Sequence, residues 1–199
     1  AATYAVHQVW AGTWNRRQAV EHVTSAQVRE LTRGTFHPKA WAEAASHRSI
    51  AKGSPASPGS AVGKAAFSVE QAQGLVSRGE KCILIRKDTS PDDLPGMLIA
   101  EAIVTAVGGE TSHAAVVARS LNKPAVVGCE GLRFGGSWAM TLGGVINPGD
   151  VLSVSGDRGE VVRGKVDITE PDSHGEVANF LRWVRQFGSP PFVRGVPQI

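Results

Sequence analysis

The residues with the most chemical content lie in one stretch, AIVTAVGGETSHAAVVARSLNKPAVVGC, at 102–129. An apolar strand ending at Val107 runs into Gly108 and Gly109. Thr111 and Ser112 stand where a helix N-cap belongs, and His113 opens a helix whose inner face is Ala114, Val117, Ala118 and Leu121. This spacing puts an imidazole at a helix N-terminus. The unpaired N–H groups and positive dipole end there oppose a further positive charge on the ring and favour a phosphoryl dianion bonded to it. A ring nitrogen with a free lone pair before transfer, and a stabilised anion afterwards, are what covalent phosphoryl carriage needs. The two glycines let a phosphate or a partner's nucleotide approach the backbone with no side chain between. A lone histidine at a helix start is more often a capping or packing residue, and position alone leaves that reading open.

The elements around this stretch alternate. KCILIRKD (81–88), AIVTAV (102–107) and PAVVGC (124–129) are short apolar runs of the kind buried on both faces. Helices are predicted at 69–77, where Ser68 and Gln71 form a capping box, near 91–100, and at 113–121. Beyond residue 139 two or three small strands turn at Asn147-Pro148-Gly149-Asp150 and Asp157-Arg158-Gly159. The fold class is therefore α/β, a β-rich core with helices around it. Residues 1–50 read as a helical connector: Asn15 or Thr24 can cap, Gly34 can stop a helix, and Pro38 suits the first turn of WAEAASHR. Residues 51–163 form the main domain. Residues 164–199 are a linker and a helix, 176–187, with Val177, Phe180, Leu181, Val184 and Phe187 on one face. The Gly-, Pro- and Ser-rich or charged stretches 50–58 and 163–175 are hinge candidates.

Composition excludes several classes. The 199 residues (20.9 kDa) are 42% hydrophobic and 20% charged with mean hydropathy −0.09, enough for one well-buried domain and too few for a large multi-site enzyme. The net charge of +3 is too small and dispersed for a nucleic-acid footprint, despite a pI near 9.1. No apolar run approaches the ~20 residues of a membrane span, so a cytoplasmic location is expected. Cys82 and Cys129 lie far apart, outside any CxxC or metal spacing, and read as buried thiols in a reducing compartment. His7, His22, His37, His47 and His174 show no i, i+3 or i, i+4 pairing that would hold zinc. Asp92 and Asp93 after Ser90-Pro91 read as first-turn acids rather than a metal or acid–base pair.

The string GGETSHAAVVAR, followed by the LNKPAVVGC strand, resembles the phosphohistidine segment of the phosphoenolpyruvate (PEP)-utilising enzymes, in which Gly-Gly-x-Thr-Ser/Cys-His precedes an Ala/Val-rich helix and an Arg. Within that superfamily SPASPGSAVGKAAF, GEKCILIRKDTSPDDLPGM and GDVLSVSGDRGEVVRG are similar to the pyruvate, phosphate dikinases. So are RRQAVEHVT and FHPKAWAEAASHRSIAKG in the helical front end, so the likeness covers most of the chain. Glu110 departs from it, since dikinases usually carry Met there and related enzymes Arg, and a carboxylate beside a phosphoryl site is mildly repulsive.

The resemblance implies a swivelling phosphohistidine domain with His113 as covalent carrier and Thr111 and Ser112 orienting the ring or bonding phosphoryl oxygens. It places Gly108, Gly109 and Arg119 in the same phosphoryl-binding or orienting set, and Thr111 at a site of inhibitory phosphorylation. It implies no cofactor bound in this domain. Partner domains, on the same or separate chains, would be an ATP-grasp nucleotide-binding domain and a barrel for PEP or pyruvate, with Mg2+ and ATP or PEP bound there. Neither nucleic acid nor membrane is implied as a partner. The family's histidine takes the β-phosphoryl group of ATP by way of a pyrophosphoryl intermediate, whose terminal phosphoryl goes to phosphate, and passes it to pyruvate, or runs the reverse from PEP. The chain alone is then expected to lack turnover. A fragment of a full-length dikinase, a stand-alone carrier of a split system with another acceptor, and an inert partner-binding module are the rival readings.

Overall fold

The structure, a computed structural model, describes residues 1–24, 27–28, 31, 33–169 and 175–188. The chain divides into two compact units, Ala1–Gly34 with Glu170–Ile199, and Thr35–Thr169. The first opens with α1 (Ala2–Trp10) and α2 (Arg16–Glu21). Asn15 caps α2 in a reciprocal box: its side chain accepts from the Gln18 N–H, and the Gln18 side chain accepts from the Asn15 N–H, both at 2.9 Å.

The second unit begins with β1 (Thr35–Phe36) and α3 (Pro38–Arg48), with Pro38 in its first turn. Strands β2 (Ser49–Lys52), β3 (Ser54–Ser57) and β4 (Ser60–Ala66) come next, then α4 (Val69–Ser77) and β5 (Cys82–Arg86). A 3-10 turn (Pro91–Asp93) leads into α5 (Leu94–Ile99), β6 (Ala102–Thr105), α6 (His113–Ser120) and β7 (Ala125–Val127). Six short strands complete it: β8 (Arg133–Phe134), β9 (Ala139–Thr141), β10 (Gly144–Ile146), β11 (Val151–Ser155), β12 (Glu160–Arg163) and β13 (Ile168–Thr169). Four of them, rather than two or three, occupy the stretch 139–163.

Eight strands make one sheet in the order β2-β12-β11-β4-β5-β6-β7-β3, with β4 to β7 mutually parallel and the outer pairings antiparallel. Successive side chains of a strand point to opposite faces, and here both faces are covered. Cys82, Leu84, Ile103, Ala125 and Val127 pack with Leu75, Met97, Ala114 and Ala118 of the helices. Ile83, Ile85, Val104 and Val126 pack on the other side with Leu132, Ala139 and Ile146, from the small β8–β10 sheet and the loop before it. That two-sided burial is why these runs are uniformly apolar rather than alternating.

The unit boundaries differ from those expected at 50 and 163. Residues 35–50 belong to the second unit: Phe36, Trp41 and Ala44 share a core with Val162 and Val166, and β2 pairs with β12. The hinge candidate 50–58 is consequently strand, since its Ser, Pro and Gly punctuate β2 and β3 inside the sheet. The division at 169/170 falls within the other candidate, 163–175, whose residues 170–174, His174 among them, lie outside the described residues. Ser68 caps α4 as predicted, but the Gln71 side chain accepts from Phe67 N–H rather than completing the box on Ser68. In the first unit α7 (Gly175–Phe187) buries Phe180, Leu181 and Val184 against Val6, Val20 and Val23. Trp183 joins that core and Phe187 is exposed, an exchange that differs from the one-face expectation.

Trp41 ties α3 to the sheet through a polar contact as well. Its indole Nε1–H donates to Glu160 at 3.0 Å, and Lys52 Nζ lies 2.7 Å from the other carboxylate oxygen. Burial alone would raise the Glu160 carboxyl, but these two bonds and the nearby Arg158 outweigh it and hold the group below the usual carboxylate range. A depressed folded-state pKa contributes stability above the unfolded value, about 4.3, and loses it as pH falls through the lower folded value. Glu160→Gln should therefore flatten the acid limb of the stability curve measured by urea unfolding between pH 5 and pH 3. Parallel curves for the two proteins would show that the carboxylate contributes nothing there.

Candidate active site

The parallel strands end where α/β sheets commonly place their sites, at the carboxyl edge. Strand β6 stops at Thr105 rather than Val107, and local bonds shape the turn beyond it. The Thr105 hydroxyl donates to the Val107 carbonyl at 2.8 Å, and Val107 N–H donates to the Lys87 carbonyl at 3.0 Å. From the other side Cys129 N–H donates to the Thr105 carbonyl at 2.9 Å. The loops after β5, β6 and β7 are thus stitched together.

The turn itself depends on two glycines. Gly108 has φ +108°, in the region that favours glycine, and a Cβ there would lie 2.9 Å from Ser112 Cβ. Gly128 has φ +67°, and a Cβ on it would lie 2.6 Å from the Gly108 carbonyl oxygen. Gly109, which the sequence pairs with Gly108, is under neither constraint and faces open space where a Cβ would project. Gly128 is a site residue that sequence reasoning misses, although its place at the end of the AVVGC run is visible; nothing in sequence distance says that it meets Gly108.

Ser112 is the N-cap of α6: its Oγ accepts from Ala115 N–H at 3.4 Å, and its own N–H donates to the Gly109 carbonyl at 2.9 Å. His113 occupies the first helical position, exposed, its imidazole with no hydrogen-bond, ring or ion-pair partner among the described residues. The capping reading of this histidine is thereby answered, because Ser112 caps and the imidazole neither caps nor packs. The inner face of α6 is Ala114, Ala115 and Ala118, with Val117 and Leu121 partly buried. Thr111 and Glu110 are exposed, and the Glu110 carboxylate has no ion-pair partner among the described residues.

Arg119, exposed on α6, reaches to two backbone carbonyls. Its guanidinium donates to the Ala56 carbonyl of β3 at 2.9 Å and to the Glu110 carbonyl at 2.6 Å. It therefore braces the far side of the site loop against the sheet edge. The neighbouring cysteine offers no rival nucleophile, since burial pushes the Cys129 thiol up to about 12. Burial also raises Cys82, and both are free thiols. Asp93 is a helix-start acid, as expected: it accepts from Ser90 N–H at 2.9 Å and pairs with Arg86 Nε at 2.9 Å. Lys64 is bonded to Glu80 and Lys123 to the Ala100 carbonyl, so neither is an unpartnered cation.

Two variants test this geometry. Gly128→Ala should strain the backbone, push the Gly108 turn aside and cost more than ~1 kcal/mol of stability, read by urea unfolding; an unchanged midpoint would refute the contact. Arg119→Lys can reach only one of the two carbonyls at a time, so hydrogen exchange at Ser112 N–H should quicken while core amides of β6 stay unchanged. Equal exchange at Ser112 would show that the brace is dispensable.

Residues 78–159 match the family described as PEP-utilising enzyme, mobile domain. Over 186 residues the chain is 39% identical to "Pyruvate, phosphate dikinase 1, chloroplastic" of Arabidopsis thaliana, covering 92% of this chain and 19% of that protein. It is 40% identical over 187 residues to "Pyruvate, phosphate dikinase 2" of Zea mays, covering 92% and 21%. The "Pyruvate, phosphate dikinase" of Rhizobium meliloti (strain 1021) is 35% identical over 185 residues, covering 92% and 20%. The chain thus spans about a fifth of the length of these relatives. A solution structure of Enzyme I overlaps 54% of the chain at 28% identity, with a TM-score of 0.31, too loose a superposition to carry weight.

Proposed function

We propose that this chain, a PEP-utilising enzyme mobile domain through residues 78–159, is the phosphoryl carrier of a pyruvate, phosphate dikinase-like phosphotransferase, with His113 as the nucleophile. The observation that carries the reading is the exposed, unpartnered imidazole at the first position of α6, held above a glycine turn at the carboxyl edge of the parallel strands. In the forward half-reaction a ring nitrogen lone pair attacks the β-phosphorus of ATP, AMP leaves with the bonding electron pair, and the terminal phosphoryl of the resulting pyrophosphoryl group passes to inorganic phosphate. In the second half-reaction an acceptor oxygen attacks, and the nitrogen–phosphorus pair returns to the ring.

The chain's own contribution is positional. Gly108 and Gly128 keep side chains out of the turn, Ser112 secures the first turn of α6, and Arg119 braces the loop from behind. The helix dipole favours the phosphoryl dianion over the bare approach of a cation. ATP, PEP and Mg2+ are assigned to partner domains: a nucleotide-binding domain as donor site and a barrel as acceptor site for pyruvate. The relatives' greater length supports such domains. Turnover by the chain alone is not expected, because positioned donor and acceptor are what drive this chemistry. Thr111, exposed two residues from His113, is the proposed regulatory position, where an added phosphate would repel the incoming one. Free buried thiols suit a reducing compartment such as the cytoplasm, and no helix among the described residues is long and apolar enough to cross a membrane.

Mixed with a dikinase-type nucleotide-binding domain, ATP, Mg2+ and phosphate, the protein should acquire one acid-labile, base-stable phosphoryl group per chain. His113→Asn should label only at background. Equal labelling of parent and variant would remove His113 from the reaction. Discharge of the label by a different acceptor domain, and never by one that binds pyruvate, would replace the pyruvate assignment and leave the carrier standing.

A further inference from the structure

Beside the glycine turn lies a cavity of about 630 Å³, bounded by Lys87, Val107, Glu130, Leu132, Arg133 and Phe134. It is contiguous with the candidate site through the backbone: Val107 N–H bonds the Lys87 carbonyl, and Val107 precedes Gly108. Its volume is in the range of pockets that hold small molecules. Two cations border it, and both belong to the group that meets no carboxylate among the described residues. Lys52, Lys64, Lys81 and Lys165 are each paired with a carboxylate, as are Arg17, Arg78, Arg86 and Arg163. The Lys87 ammonium has no partner among the described residues, and Arg133 spends one N–H on the Glu130 carbonyl at 2.8 Å and meets no carboxylate among them.

Charge at the turn creates a need for these cations. Arg119 turns two of its N–H groups to backbone carbonyls, and Glu110, three residues before His113, carries a carboxylate with no ion-pair partner among the described residues. A phosphorylated small molecule presented to His113 by a partner domain brings further anionic oxygens that are not transferred, and cations on the carrier can help that domain offset them. We infer that the groove between Lys87 and Arg133 is an anion subsite holding the non-transferred phosphate groups of such a molecule, with Val107 and Phe134 forming its apolar wall. The inference rests on the carrier reading for its purpose, while the binding itself can be measured without transfer. Glu130, on the same rim, opposes the anion, so its removal should tighten the site.

The full chain titrated with inorganic tripolyphosphate and followed by amide NMR should show shifts at Lys87, Val107 and residues 130–134. Lys87→Gln combined with Arg133→Gln should raise the dissociation constant about tenfold, as expected for losing charge-assisted contacts. Glu130→Gln should lower it, and His113→Asn should leave it unchanged. ATP binding in parallel with tripolyphosphate, with no response to adenosine, would assign the contact to the phosphates. Shifts confined to residues 113–115, or an unchanged affinity in the double variant with an intact amide spectrum, would overturn the subsite and leave the carrier reading in place. Tripolyphosphate binding as described, together with full labelling of His113→Asn, would overturn the carrier reading and leave the subsite.

Discussion

Because both faces of the central sheet are covered, its chemistry is confined to the ends of its strands. Strands β5, β6 and β7 turn alternate side chains into two separate cores, and apart from Arg86 at the end of β5 every residue in them is buried. What remains is the carboxyl edge, where three loops meet. They are fixed by backbone groups: the Val107 N–H, the Thr105 carbonyl, and the carbonyl of Gly108 beneath Gly128. A site built this way tolerates variation in exposed side chains more readily than a change at either glycine.

The parts of this arrangement that obey local rules are readable in the chain. The α4 and α7 ranges, the three apolar runs and the Ser112–His113 helix start all rest on short-range periodicity and capping, and all appear in the structure close to where they are expected. Long-range pairings are not readable. Residues 35–50 look like connector because α3 carries little apolar surface; its membership of the second unit rests on Trp41 meeting Glu160 and Val162, more than a hundred residues away. The β2–β3 stretch looks like a hinge because edge strands and linkers share Ser, Pro and Gly. Gly128 escapes notice for the same reason: its need for a missing side chain comes from Gly108, across a helix and a strand.

Electrostatically, the candidate site is defined as much by what is withheld as by what is offered. Arg119 is the cation nearest in sequence to His113, and the fold spends it on carbonyl oxygens. Glu110 turns only its backbone into that brace. The helix start adds to the turn a fixed partial positive charge that cannot titrate or swing away. Exposed and unpartnered among the described residues, the imidazole has no contact to break before it reacts.

The first and last strands of the second unit, β1 and β13, pair with each other, Thr35 opposite Thr169 and Phe36 opposite Ile168. The chain therefore enters and leaves this unit through a single doorway, closed by its own hydrogen bonds. Such a unit is topologically an insert. Its sheet is complete between those two residues, its termini are adjacent, and it could be lifted from one host chain into another, or its ends joined by a short peptide, without any strand changing neighbours.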